Sequence, residues 1–299
     1  MKFNLRMMWA AAGMSATALF SFENANAEGA AILEGRAPQA TALQEFEQLI
    51  CPFEGEGGML TAIVNAALSH GGAGEDISVR IAETTDRAEL ISMRGVTFPW
   101  YKPRCDRPSH LTEHTRRLCE QAEWSEPIFE MFVGYFTRAD YERPLTSSWH
   151  LMGATICASG SEFPNLLRER GVSESNARII IKPLPDACLE SVVAGEADVA
   201  ILPDSVADEA LRENGMRDAI IRQPALDEVV TLHAIAQKGD AAGAATLAML
   251  NRGMDEIRRS GEWFEIVARH LANHPHDGGY RHESHRHDEG AEEFTARLD

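Results

Sequence analysis

Two stretches of this chain repeat one order of strand, helix and strand, with Pro144 between them. That repetition constrains the fold more than any other feature. In the first stretch, apolar residues at 59, 60, 63, 64, 67 and 68 give the helical period. Ser78 to Ala82 alternates like a half-buried strand, Asp86 is placed to cap a helix running through Met93, and Val96-Thr97-Phe98 reads as a short strand. An aromatic strand follows from Phe129 to Phe136. The second stretch restarts with a strand over Ala154 to Cys157, a Ser159-Gly160-Ser161 turn and a helix from Phe163 to Arg170. Arg178 to Lys182 is a strand whose three consecutive isoleucines predict burial on both faces. A helix from Asp186 to Ala194, stopped by Gly195, leads to a strand over Val199 to Leu202. Val229 to Ala236 is a strand that can carry the chain back, and helices from Ala241 to Ser260 and Trp263 to Leu271 close it. The expected class is α/β with two lobes.

The first 27 residues read as an export signal. Lys2 and Arg6 supply the positive start, Met7 through Phe20 the apolar run, and Ala25-Asn26-Ala27 the small-residue cleavage pattern. The apolar run is short for a permanent membrane span, which needs about 20 residues. Cleavage after Ala27 and delivery to the periplasm are therefore expected. Residues 28–49 are expected to be a flexible lead-in, 50–137 with 233–272 the first lobe, 138–232 the second, and 273–299 a disordered tail. A hydrophobic fraction of 44% is enough for a sizeable core. A net charge of −18 repels phosphate backbones, so nucleic acid is not an expected partner. A monomer is expected.

In an oxidising compartment the cysteines are disulfide candidates. The preferred pairing is local, Cys105 with Cys119 and Cys157 with Cys188, which leaves Cys51 over. The spacings do not match a zinc ribbon. Sequence alone does not fix the connectivity.

Four segments, in order, carry a resemblance. These are Glu123-Trp124-Ser125-Glu126-Pro127-Ile128-Phe129-Glu130, then Met152 through Ser161, then Val193 through Ile201 with its Gly195-Glu196-Ala197-Asp198 core, and Leu250 through Trp263. Together they resemble the type 2 periplasmic solute-binding proteins, in particular the family that serves polar amino-acid ABC transporters. The Phe98 to Asp106 segment is similar to a Trp- and Cys-containing subgroup of it. The resemblance implies two α/β lobes joined by two crossing strands, with ligand in the cleft and closure by hinge motion. It also implies a membrane permease as partner and candidate ligand-binding residues. Arg117 stands near the family's carboxylate-binding arginine. Ser159 and Ser161 match its hydroxyl turn. Asp204 lies one position beyond its ammonium-binding carboxylate, where Pro203 stands. Trp100 is a candidate to stack on a ligand, with core packing as the alternative.

The tail holds His274, His276, His282, His285 and His287, imidazoles able to take Zn²⁺, Ni²⁺ or Cu²⁺, or to serve only as hydrophilic chain. Otherwise no cofactor is expected. No nucleophile elbow, HExxH or P-loop occurs, so the expected function is capture of a small polar ligand, such as an amino acid, without catalysis. A dehydratase-like enzyme on the same lobes and a metal-binding role for the tail are the alternatives.

Overall fold

The computed structural model describes residues 39–43, 58–73, 78–82, 86–143, 145–159, 163–182 and 184–273. The strands in chain order are β1 (Gln39–Ala42), β2 (Ser78–Ile81), β3 (Val96–Tyr101), β4 (Ala122–Trp124), β5 (Phe129–Arg138), β6 (Thr155–Ser159), β7 (Arg178–Lys182), β8 (Val199–Pro203), β9 (Ile220–Arg222) and β10 (Glu228–Gln237). They form one sheet path, β2-β1-β3-β10-β5-β8-β6-β7, with β4 beside β10 and β9 beside β5. The α-helices are α1 (Gly58–Leu68), α2 (Arg87–Ser92), α3 (Glu113–Gln121), α4 (Phe163–Glu169), α5 (Pro185–Val193), α6 (Asp204–Glu213), α7 (Ala241–Ser260) and α8 (Glu262–Asn273).

β5 and β10 are the long strands, and each serves both halves of the molecule. The early part of β5 pairs antiparallel with β10, from Phe129↔Leu232 to Val133↔Glu228. Its later part pairs with β8 and β9. β10 then continues along β3 and β4. One buried cluster draws on residues between Ala40 and Ile128 and again from Leu232 to Ile266. Two others draw on residues between Val133 and Val230. Beside the crossing, Phe132 and Val229 face each other in register and both stay more than half exposed.

Most elements arise from local chemistry. Asp86 Oδ1 accepts the Ala88 and Glu89 N–H groups and starts α2. Asp240 caps α7 through Oδ1 and, through Oδ2, accepts the Gly95 N–H at 2.8 Å, tying the helix to the start of β3. Such caps stabilise by about 1 kcal/mol each. The Glu123–Glu130 segment is fixed by α7 and α8. Asn251 Oδ1 accepts the Glu126 N–H at 2.9 Å, Arg258 donates to the Pro127 carbonyl, and Trp263 Nε1 donates to the Ile128 carbonyl.

Both expected disulfides are present, Cys105–Cys119 and Cys157–Cys188. The first ties α3 to the loop after β3, and the second pins α5 beneath β6. Each restricts the unfolded chain by about 3 kcal/mol. Cys51, residues 1–27 and the tail from His274 lie outside the described residues.

Two expectations are corrected. The lead-in of 28–49 contains β1, which pairs parallel with both β2 and β3 and buries Ala40 and Ala42. Its Gln-Ala-Thr-Ala sequence is too small and mixed to signal a strand. Strand β7 is not buried on both faces, because it is the last strand of the sheet and Ile181 is 57% exposed. The isoleucine run reflects β-propensity, not a central position.

β10 also carries a buried histidine. His233 Nδ1 lies 2.8 Å from the Ser125 carbonyl, to which it donates, and Nε2 lies 2.8 Å from Thr231 Oγ1, from which it accepts. That pattern holds the neutral ring. Burial depresses its pKa, the Ser125 hydrogen bond opposes this, Lys102 lowers it further and Glu126 raises it. The unfolded chain takes this proton near pH 6.5, whereas the folded chain resists it. Stability from His233 is therefore complete above about pH 6.5 and falls as pH drops toward the lower folded value, by at most about 1.4 kcal/mol per pH unit. In urea unfolding at pH 7.5 and 5.5, His233→Gln should show a smaller loss of midpoint than the parent. An equal loss would assign the pH dependence to other groups.

Candidate functional site

A cleft of about 300 Å³ lies between the two halves, with walls from both. On the first side are Trp100 and Tyr101 from β3, Arg87 from α2, and Thr115 and Leu118 from α3. On the second are Pro164, Asn165 and Arg168 from α4, Glu174 behind it, and Ile181 from β7. A wider depression of about 450 Å³ on α1 and α8 takes its walls from one half. None of the partnerless buried polar atoms among the described residues lines it.

Helix α4 brings the polar groups. Its sequence Phe-Pro-Asn-Leu-Leu-Arg-Glu buries Phe163, Leu166 and Leu167. Asn165 and Arg168, three apart, share one side of the helix. Asn165 is 6% exposed, and its Oδ1 has no hydrogen-bond partner among the described residues. Arg168 Nε is likewise buried without a partner, while Nη2 lies 2.5 Å from both Glu174 oxygens. Two adjacent unpaired buried groups, an acceptor and a charged donor, are costly unless something completes them.

At one end of the cleft the halves touch. Glu169 Oε1 accepts the Arg104 backbone N–H at 3.0 Å, and Oε2 lies 3.5 Å from both the Tyr101 hydroxyl and Arg104 Nε. Burial pushes the Tyr101 hydroxyl well above the ordinary tyrosine range, and the Glu169 and Glu228 carboxylates add to it. The phenol therefore remains a donor. Behind it, Glu228 accepts from Tyr135 at 2.7 Å and pairs with Arg170 at 2.6 Å. Burial raises the Glu228 pKa against the pull of these two partners.

The expected site residues are scattered by comparison. Trp100 reaches the cleft but is 3% exposed. Its Nε1 donates to Thr97 Oγ1 at 2.9 Å, and the Arg87 guanidinium lies 4.8 Å over its ring. The indole is thus a packed wall with a cation against one face. Arg117 sits on the outer face of α3, 62% exposed, beside Glu113 at 3.4 Å. Ser159 ends β6 and is half-buried, and it does not line the cleft; Ser161 lies outside the described residues. Asp204 begins α6 and holds Arg222 at 2.7 Å, away from the cleft walls. The tail histidines His274, His276, His282, His285 and His287 lie outside the described residues. Among the described residues, no group of three or more His, Cys, Asp or Glu side chains could hold a metal ion. No helix among them is long and apolar enough to cross a membrane.

Asn165 and Arg168 were not singled out from the sequence. A signal for them existed, since two polar residues three apart interrupt an otherwise apolar helical run.

Neither a protein-family model nor a curated protein matches the sequence. Solved structures do match. One is a histidine kinase sensor domain with similarity to periplasmic binding proteins, at TM-score 0.57 and 18% identity over 78% of this chain and 96% of that one. The fold is that of the two-lobed periplasmic binding proteins. A second is ArtJ, the arginine-, lysine-, histidine-binding protein from Geobacillus stearothermophilus, at 0.55 and 14% over 79% and 95%. A third is the ancestral amino acid-binding protein AncCDT-1, a precursor of cyclohexadienyl dehydratase, at 0.57 and 13% over 80% and 97%.

Proposed function

We propose that this chain is an exported receptor that captures a small polar ligand between its lobes, as a variant of the amino-acid-binding family. The observation that carries the reading is the pair Asn165 Oδ1 and Arg168 Nε, buried without partners among the described residues in a cleft lined from both sides. A ligand completing these groups while touching β3 and α3 favours the closed arrangement, because only that arrangement offers both walls. The two disulfides and the signal-like first 27 residues support a periplasmic location. Delivery to an ABC transporter permease and presentation to a sensor both use such a closure. The fold likeness to both an amino-acid-binding protein and a sensor domain supports either output.

The test is a thermal-shift screen of residues 28–299 against amino acids, small carboxylates and divalent metals. A ligand at 100 times its Kd stabilises by about 2.7 kcal/mol, a shift of several degrees. A hit should be followed by small-angle scattering for compaction and by product analysis for turnover. No shift with any compound would overturn the receptor reading. Turnover of the hit would assign the cleft to an enzyme, and a metal-dependent shift lost on deleting 274–299 would assign binding to the tail.

A further inference from the structure

An α-amino acid brings a carboxylate and an ammonium group, and a closed site must satisfy both charges. A buried ammonium without a carboxylate beside it is strongly disfavoured. Glu174 is the one acidic side chain lining the cleft among the described residues, and both its oxygens are held by Arg168. Glu169, at the rim, is held by Arg104 and Tyr101. Asp204 is engaged by Arg222, which Asp227 holds from the other side.

The cationic side is better supplied. Arg168 keeps a buried Nε–H with no acceptor among the described residues, and the Arg87 guanidinium is held against Trp100 on the facing wall. On the same helix as Arg168 is the acceptor Asn165 Oδ1, which a neutral hydroxyl satisfies with no countercharge. Leu118, Pro164 and the exposed Ile181 supply an apolar part of the surface, beside the neutral polar groups of Tyr101, Thr112 and Thr115 and the imidazole of His114. Ile181 is left uncovered at the end of the sheet, on the wall where the apolar part of a ligand would rest.

We infer that the cleft selects a small hydroxycarboxylate lacking an ammonium group, its carboxylate on Arg168, its hydroxyl on Asn165 and its apolar part against Ile181 and Leu118. This rests on the cleft being a ligand site, and it goes further by naming the class. No covalent step is involved.

Matched pairs test it by isothermal titration of residues 28–299: lactate against alanine, 2-hydroxyisocaproate against leucine, and 3-phenyllactate against phenylalanine. In at least one pair the hydroxy acid should bind tenfold or more tightly than its amino acid. Asn165→Ala should weaken that hydroxy acid at least tenfold. Asn165→Asp, which places a carboxylate at the same point, should reverse the preference of the pair. If the amino acids bind as tightly as or tighter than their hydroxy counterparts, the class is overturned and the receptor reading stands. The same holds if no pair binds while other compounds shift the melting temperature. If nothing binds in either experiment, both fail. If Asn165→Ala remains folded by circular dichroism and binds unchanged, the placement on α4 is wrong.

Discussion

Replacing Arg222 with methionine should lower the unfolding free energy by about 3–5 kcal/mol, the range for removing one partner of a buried charge group. Arg222 ends β9 and is 21% exposed. Its Nη1 lies 2.7 Å from Asp204 Oδ1, and its Nη2 lies 2.9 Å from Asp227 Oδ2. The two carboxylates are 15% and 20% exposed. Without the guanidinium, two poorly solvated negative charges face each other across the space it filled. Methionine retains most of the packing volume, so the loss reports charge rather than a cavity. The triple change Arg222→Met, Asp204→Asn and Asp227→Asn should recover most of the loss, because it removes the uncompensated charge. Urea midpoints at pH 7 measure both. A loss below about 1 kcal/mol in the single variant would show that water already screens the group.

That cluster also engages Asp204, one of the expected ligand-binding residues. Pro203 ends β8, and Asp204 begins α6 beside β9. Both α6 and β9 are absent from the sequence reading. The Asp204–Glu213 run mixes charges with alanine and buries little besides Ala207, Ala210 and Leu211. Three-residue strands such as β4 and β9 leave too little pattern to detect. Strong periods were legible. The helix expected over Ala241–Ser260 has those ends in the structure, where Asp240 caps it and Gly261 turns out of it at φ 90°. β5 and β10 were read to within two residues at each end from their aromatic and β-branched runs.

The cleft was less legible for a different reason. Its position follows from which helices meet across the lobes, and that is a property of three dimensions. Trp100 is legible as a ring able to stack on a ligand. Asn165 carries only the weak signal of its spacing to Arg168, because an asparagine inside a short helix does not show its burial until its neighbours are placed. Arg117 was chosen by spacing to a motif, but α3 turns that position outward and presents Thr115 and Leu118 to the cleft instead. One residue along a helix is about 100° of rotation, enough to exchange a wall for a surface.

Gly253→Ala should destabilise the protein by about 3 kcal/mol or more, at the upper end of overpacking effects. Gly253 lies inside α7, where alanine is intrinsically favoured by about 1 kcal/mol. Packing reverses that preference. A Cβ at Gly253 would lie 1.6 Å from the Ala67 carbonyl oxygen of α1. The contact is with backbone, so no side-chain rotation relieves it, and the helices must separate. The opposite side of the crossing is equally tight, since a Cβ at Gly71 would lie 2.0 Å from the Met249 carbonyl oxygen. Arg252 Nη2 donates to the Gly71 carbonyl at 2.9 Å and would be displaced by the same separation. Gly215→Ala is the comparison. It has open space around it and only a positive φ of 63°, so it should cost about 1 kcal/mol. If the two alanine variants unfold at the same urea concentration, the close approach of α1 and α7 does not exist in solution. If Gly253→Ala alone falls by the larger amount, Gly253 is there for helix contact rather than for flexibility.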